Sequence, residues 1–149
     1  SYLERFVQWF LKDLKEIIEY IGQDVNSRPF KKVFELIKEN KQLQLIENKE
    51  LIKSINNFYE YILPDIDKLS TWHDGFVSDN IDPYILENIP LEKGLVDPKI
   101  TRQLLTQIKF KNILTYQSII YESFVRATTY TIEQAEELSI QITSYLKTQ

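Results

Sequence analysis

Trp72-His73-Asp74-Gly75 is the most unusual cluster of reactive side-chain types in this sequence: an amphipathic aromatic, the sole histidine and a carboxylate in succession. A carboxylate beside an imidazole can orient it for general-base chemistry. Adjacent residues on a helix do not face one another, however. The simpler reading makes Trp72 a core or helix-end residue, His73 a favourable group at a helix C-terminus and Asp74-Gly75 a turn. A di-iron site in a bundle needs two Glu-x-x-His motifs and two further Glu. With one His and no Glu three residues before it, that site cannot be assembled. Asp65, Asp67, Asp79 and Asp82 lack the spacing, central Gly and terminal Glu of a calcium loop.

The remaining composition narrows the chemistry further. The chain of 149 residues has no Cys, three Gly and a formal charge of −4. Disulfides, zinc fingers, iron–sulfur clusters and thiol catalysis are excluded, and a glycine-rich phosphate loop has no residues to build it. Lys31, Lys32, Arg102, Lys109 and Lys111 are too few and too scattered for a phosphate-tracking surface, so no nucleic-acid partner is expected. Aromatic residues make up 13% of the chain. Most lie on apolar stripes and read as core. Tyr59, Tyr61, Tyr84, Tyr116 and Tyr130 are less plainly inward. Candidate ligand or partner contacts are therefore Trp72, His73, Asp74, Tyr84 and Tyr116. No catalytic residue, metal set or cofactor is assigned.

The elements that must hold these residues follow from hydrophobic spacing. Leu3, Phe6, Val7, Phe10, Leu14, Ile17, Ile18 and Ile21 recur at steps of three and four and predict a helix over 2–21, ended by Gly22. Ser27 and Pro29 start a short helix over 29–38, carrying Phe30, Val33, Phe34 and Ile37. Leu43, Leu45 and Ile46 read as a buried connector. Leu51, Ile55, Phe58, Ile62, Ile66, Leu69, Trp72 and Phe76 keep helical phase straight through Pro64, predicting a kinked helix over 48–77. Breakers crowd 78–98, including Asp82-Pro83, Ile89-Pro90 and Lys93-Gly94, and predict an ordered crossover there. Asp97-Pro98 opens a short helix over 98–108, and a long one follows over 110–147, with Thr128–Thr131 as its weakest stretch. The expected fold is all-α: a single-domain, elongated bundle of three long and two short helices over 1–149.

Leu45-Ile46-Glu47-Asn48-Lys49-Glu50-Leu51-Ile52, followed by Ile55 and Phe58-Tyr59-Glu60, resembles a family of small uncharacterised bacterial membrane-anchored proteins in which an "L-I-x-N-K-E-L" segment starts a helix. The order of elements is similar too, down to a long amphipathic C-terminal helix carrying Glu136-Glu137-Leu138. The resemblance implies a transmembrane helix ahead of a soluble helical domain. The chain opens on Ser1 and contains no Met, as expected of a soluble fragment of a longer chain whose anchor precedes Ser1. On this reading the protein is a non-enzymatic sensor or protein-interaction domain on the periplasmic face of a membrane, meeting a protein partner or a small ligand. The alternative is a soluble cytoplasmic adaptor or inhibitor working through an acidic surface. Self-association is a further expectation, through the Gln134, Ser139, Gln141 and Thr143 flank of the last helix.

Overall fold

The computed structural model describes residues 2–20, 28–92 and 97–149, with side chains over 3–19, 34–92 and 97–149. The first helix, α1 (Tyr2–Tyr20), buries Phe6, Val7, Phe10, Leu14 and Ile17 on one face and turns Glu4, Arg5, Lys12 and Lys15 outward. Its predicted stop at Gly22, and the Ser27 start signal after it, lie outside the described residues. The second, α2 (Arg28–Glu39), buries Phe34 and Ile37. It is closed off by Lys41, which adopts a left-handed φ of 54° that costs a non-glycine residue about 1 kcal/mol. A single 3-10 turn (Gln42–Leu45) follows and tucks in Leu43. Leu45 of the expected buried connector faces solvent, whereas Leu43 and Ile46 are buried.

Asn48 then caps α3 (Lys49–Asn57), its side chain accepting from the Leu51 amide at 3.0 Å. From here the backbone stays helical to Asn88. The run comprises α3, a π turn (Phe58–Ile62), α4 (Leu63–Phe76), a second π turn (Val77–Ile81) and α5 (Asp82–Asn88). Pro64 therefore does not break the helix. Proline lacks an N–H, and its ring clashes with the carbonyl four residues back. In the π turn just before it, the Leu63 amide reaches back five residues to the Phe58 carbonyl, which widens the helix where that clash would fall. The same device recurs at Pro83, with the Asp82 amide bonded to the Val77 carbonyl.

That recurrence corrects the expected crossover over 78–98. Residues 78–88 are helical, and the backbone turns extended only at Ile89; of the expected crossover, Lys93-Gly94 lies outside the described residues. Asp74-Gly75 is likewise helix interior instead of a turn, and a Cβ at Gly75 would meet nothing within 4 Å. Asp97 caps α6 (Pro98–Leu104) by accepting from the Lys99 amide at 2.8 Å, and a turn through Leu105–Gln107 leads into α7 (Ile108–Lys147), 40 residues without interruption. Thr129 and Thr131 lie within α7, each hydroxyl donating to the carbonyl four residues back, at 2.9 and 2.8 Å.

The fold is all-α, and no strand occurs among the described residues. Its packing forms two units: Ser1–Lys68 with Val125–Gln149, and Leu69–Phe124. In the first, Phe10, Leu14 and Ile17 of α1, Phe34 of α2, Ile55, Tyr59 and Leu63 around the first π turn, and Ala135, Leu138 and Ile142 of α7 are all buried. In the second, the core is Tyr84, Leu104 and Ile113, with Ile81, Ile89, Ile100 and Phe110 packed against it. Among the described residues, no helix is long and apolar enough to cross a membrane.

Candidate functional site

All five candidate contact residues fall in the 69–124 unit, and the structure brings four of them together. The last turn of α4 carries Trp72, His73 and Asp74, and α7 carries Tyr116. The Trp72 and Tyr116 rings meet edge to face at 5.8 Å between centroids, and Phe76 packs tilted against Tyr116 at 4.6 Å. Trp72, expected on the core stripe, is partly open to solvent, as is Tyr116. His73 sits beside them, its Nε2 2.9 Å from the side-chain nitrogen of Gln117. Nδ1 faces Asp74 Oδ1 at 3.4 Å, a long contact between neighbours in sequence. The Gln117 Oε1 is buried with no partner among the described residues.

Both ring nitrogens of His73 thus face side-chain neighbours, Gln117 and Asp74. The cluster offers two partly exposed aromatic faces with an exposed carboxylate, Asp74, on the turn that carries Trp72 and His73. Such a surface suits packing and hydrogen bonding with another molecule. Among the described residues, no three His, Asp or Glu side chains converge to hold a metal.

Tyr84 belongs elsewhere. Its ring is buried and stacked on Phe110 at 5.7 Å, its hydroxyl donates to Gln107 Oε1 at 2.8 Å, and the Lys109 ammonium lies 5.7 Å from the ring centroid. Helical continuation through Pro83 turns Tyr84 inward, which removes it from any contact surface. Tyr59 is also core, whereas Tyr61 and Tyr130 face out.

Sequence reasoning missed the most perturbed titratable pair. Asp13 is buried on α1, and the Tyr59 hydroxyl in the first π turn donates to its Oδ2. Tyr59 is ringed by Phe34, stacked at 4.6 Å, Phe58 at 5.2 Å and Phe10 at 6.0 Å. Burial lifts the Asp13 carboxyl from 3.8 to about 6, against the lowering effect of the Tyr59 hydrogen bond and with a further push from the Glu16 charge. Burial, then the charge of Asp13, raises the Tyr59 phenol well above its ordinary value. The signal was present in the spacing. Asp13 stands three residues after Phe10 and four before Ile17, squarely on the apolar stripe.

The first unit also carries a groove of about 530 Å³ between α3 and the last turns of α7, lined by Asn48, Glu50, Ser54, Gln141 and Ser144 among others. Ser54 and Gln141 extend into a smaller hollow of about 170 Å³ with Gln134 and Glu137. Two members of the expected self-association flank, Gln134 and Gln141, thus face α3 of their own chain. Ser139 and Thr143 turn their hydroxyls onto carbonyls within α7 at 2.9 and 2.8 Å. No family model matches this chain, and no curated protein or solved structure does either.

Proposed function

We propose that the chain is a non-enzymatic protein-interaction domain that docks through its 69–124 unit, and that a segment ahead of Ser1 tethers it to the outer face of a membrane. One observation carries the docking. Between Lys111 and Glu122, α7 runs for ten residues without a charge, yet Leu114, Thr115, Tyr116, Ser118, Ile119 and Tyr121 in that stretch are exposed. A helix face left to water ordinarily carries charge. Depletion of charge with retention of Tyr, Leu and Ile is instead the composition of an interface core. Trp72, packed on Tyr116, adds a third exposed aromatic to Tyr116 and Tyr121. The tether rests on the Leu45–Leu51 resemblance.

Hydroxyl-radical footprinting tests the docking directly. Leu114, Tyr116 and Tyr121 should be strongly labelled in the dilute purified chain and protected in the cells that make it. Equal labelling in both settings would remove the reading.

A further inference from the structure

Resting on that interaction reading, we infer that the partner of the uncharged α7 face is a second copy of this chain, paired antiparallel about a two-fold axis between Tyr116 and Gln117. The face has a definite centre line. Lys111, Thr115, Ser118 and Glu122 follow one another at steps of four, three and four, which aligns them on one side of a helix. All four are exposed, and the line lies opposite the buried Ile113 and Ile120. Leu114 and Tyr121 flank it on one side, Ile108 and Ile119 on the other. Their exposures are 47%, 65%, 75% and 46%.

This arrangement is complementary to itself in one orientation only. An antiparallel pair centred between residues 116 and 117 sets Lys111 beside Glu122 of the partner subunit, and Glu122 beside the partner's Lys111. The same register sets Thr115 on the partner's Ser118, two small side chains that let the helices approach closely, and brings Leu114 beside the partner's Tyr121, because each flank meets the same flank of the other copy. A parallel pair would instead place Lys111 against the partner's Lys111 and Glu122 against the partner's Glu122, which is repulsive at both ends. A two-fold interface must be self-complementary, residue i meeting j while j meets i, and the charges and the side-chain sizes both meet that condition.

The area is adequate for a modest dimer. The four large flanking side chains withdraw on the order of 400 Å² of apolar surface per copy. With the centre line added, the contact falls towards the lower end of the standard interface, about 800 Å² per partner. A dissociation constant in the micromolar range follows.

Sedimentation velocity of the chain over about 1–100 μM reads this out. The mass should rise from 17.8 kDa towards twice that value. Leu114→Glu with Ile119→Glu should weaken association at least about a hundredfold, with an unchanged helical circular dichroism spectrum. Lys111→Glu and Glu122→Lys, each alone, should weaken it about fivefold, while the two together restore the parental value. Restoration identifies the antiparallel register, because the swap keeps opposite charges facing. The chain has no Cys, so a mixture of Lys111→Cys and Glu122→Cys variants should oxidise to the mixed disulfide. Homodisulfides alone would mean parallel pairing and overturn the proposal. A chain monomeric at about 100 μM overturns it too. If such a monomer still shows Tyr121 protected in cells, the interaction reading survives with a different partner, and if it does not, both fall.

Discussion

The two packing units spend their aromatic side chains in opposite ways. In the unit of residues 1–68 and 125–149, Phe10, Phe34, Phe58 and Tyr59 interlock around one buried hydrogen bond. In the 69–124 unit Tyr84 is the one buried aromatic among the described residues, while Trp72, Tyr116 and Tyr121 stay partly or largely in water. Phe and Tyr each withdraw about 150–250 Å² when buried, so the first unit gains a dense core from them and the second gains a surface. The lesson is one of allocation: the first unit uses its rings to hold itself together, and the second holds its rings available for something else.

The contrast is sharpest where it can be broken by truncation. Phe10→Ala should cost about 3–5 kcal/mol in denaturant melts, since its ring is fully enclosed by Phe6, Trp9 and Tyr59. Truncation of Trp72 should cost less than half of that. Native-state hydrogen exchange should show the same ordering without any substitution. Amides of α5 and α6 should open at about 2 kcal/mol less than those of α3 and of α7 around Leu138 and Ile142, because local stability follows buried apolar contact. Equal protection would abolish the distinction between the units.

The buried pair gives the next effect. Asp13 binds its proton more tightly in the folded chain, at about 6, than the ordinary value of 3.8. Between those values the folded state holds more protons than the unfolded one, so stability is greatest below about pH 4 as far as this group is concerned. It falls as pH rises to about 6 and is level above that. Asp13→Asn should therefore remove the slope over that interval and stabilise the chain at pH 7 by about 1–3 kcal/mol, measured by thermal melts across pH. Tyr59→Phe should act the other way at pH 7, leaving a buried carboxylate without its donor at a cost of about 1–3 kcal/mol. The smallest effect is expected at Gln117→Leu, under about 1 kcal/mol, because the lost bond to His73 is offset by removal of an unpartnered buried oxygen. A large loss there would show that the second unit depends on its polar cluster more than on Tyr84, Leu104 and Ile113.

Much of this organisation is legible in the sequence, for reasons that differ by element. The α1 stripe, the Asn48 and Asp97 starts and the long C-terminal helix are written in side-chain spacing and capping chemistry, both local properties. Residues 78–88 are not legible in that way. Asp82-Pro83 carries the same letters whether it begins a turn or follows a π turn, and the widened turn has no residue code of its own. Trp72, His73 and Tyr116 could be singled out by type, but the hydrogen bond from Gln117 to His73 depends on tertiary placement across 44 positions. Asp13 was readable from its spacing. A carboxylate on an apolar stripe needs a partner, and only the fold supplies Tyr59.

The paired π turns have a consequence for how this chain tolerates length change. Each is equivalent to an ordinary helix carrying one surplus residue, and one residue corresponds to about 100° of rotation. Deleting a single position within Phe58–Ile62 would return the backbone to plain α geometry and leave everything C-terminal to it facing as before, because a π turn winds about as far as an α turn that is one residue shorter. The same deletion within Lys49–Asn57 has no surplus residue to absorb it, and it would carry Ile66 off the core face and re-aim Trp72. The helical run from Lys49 to Asn88 thus holds two inserted residues that can be lost without re-aiming the side chains beyond them, whereas a length change elsewhere in it re-aims them all.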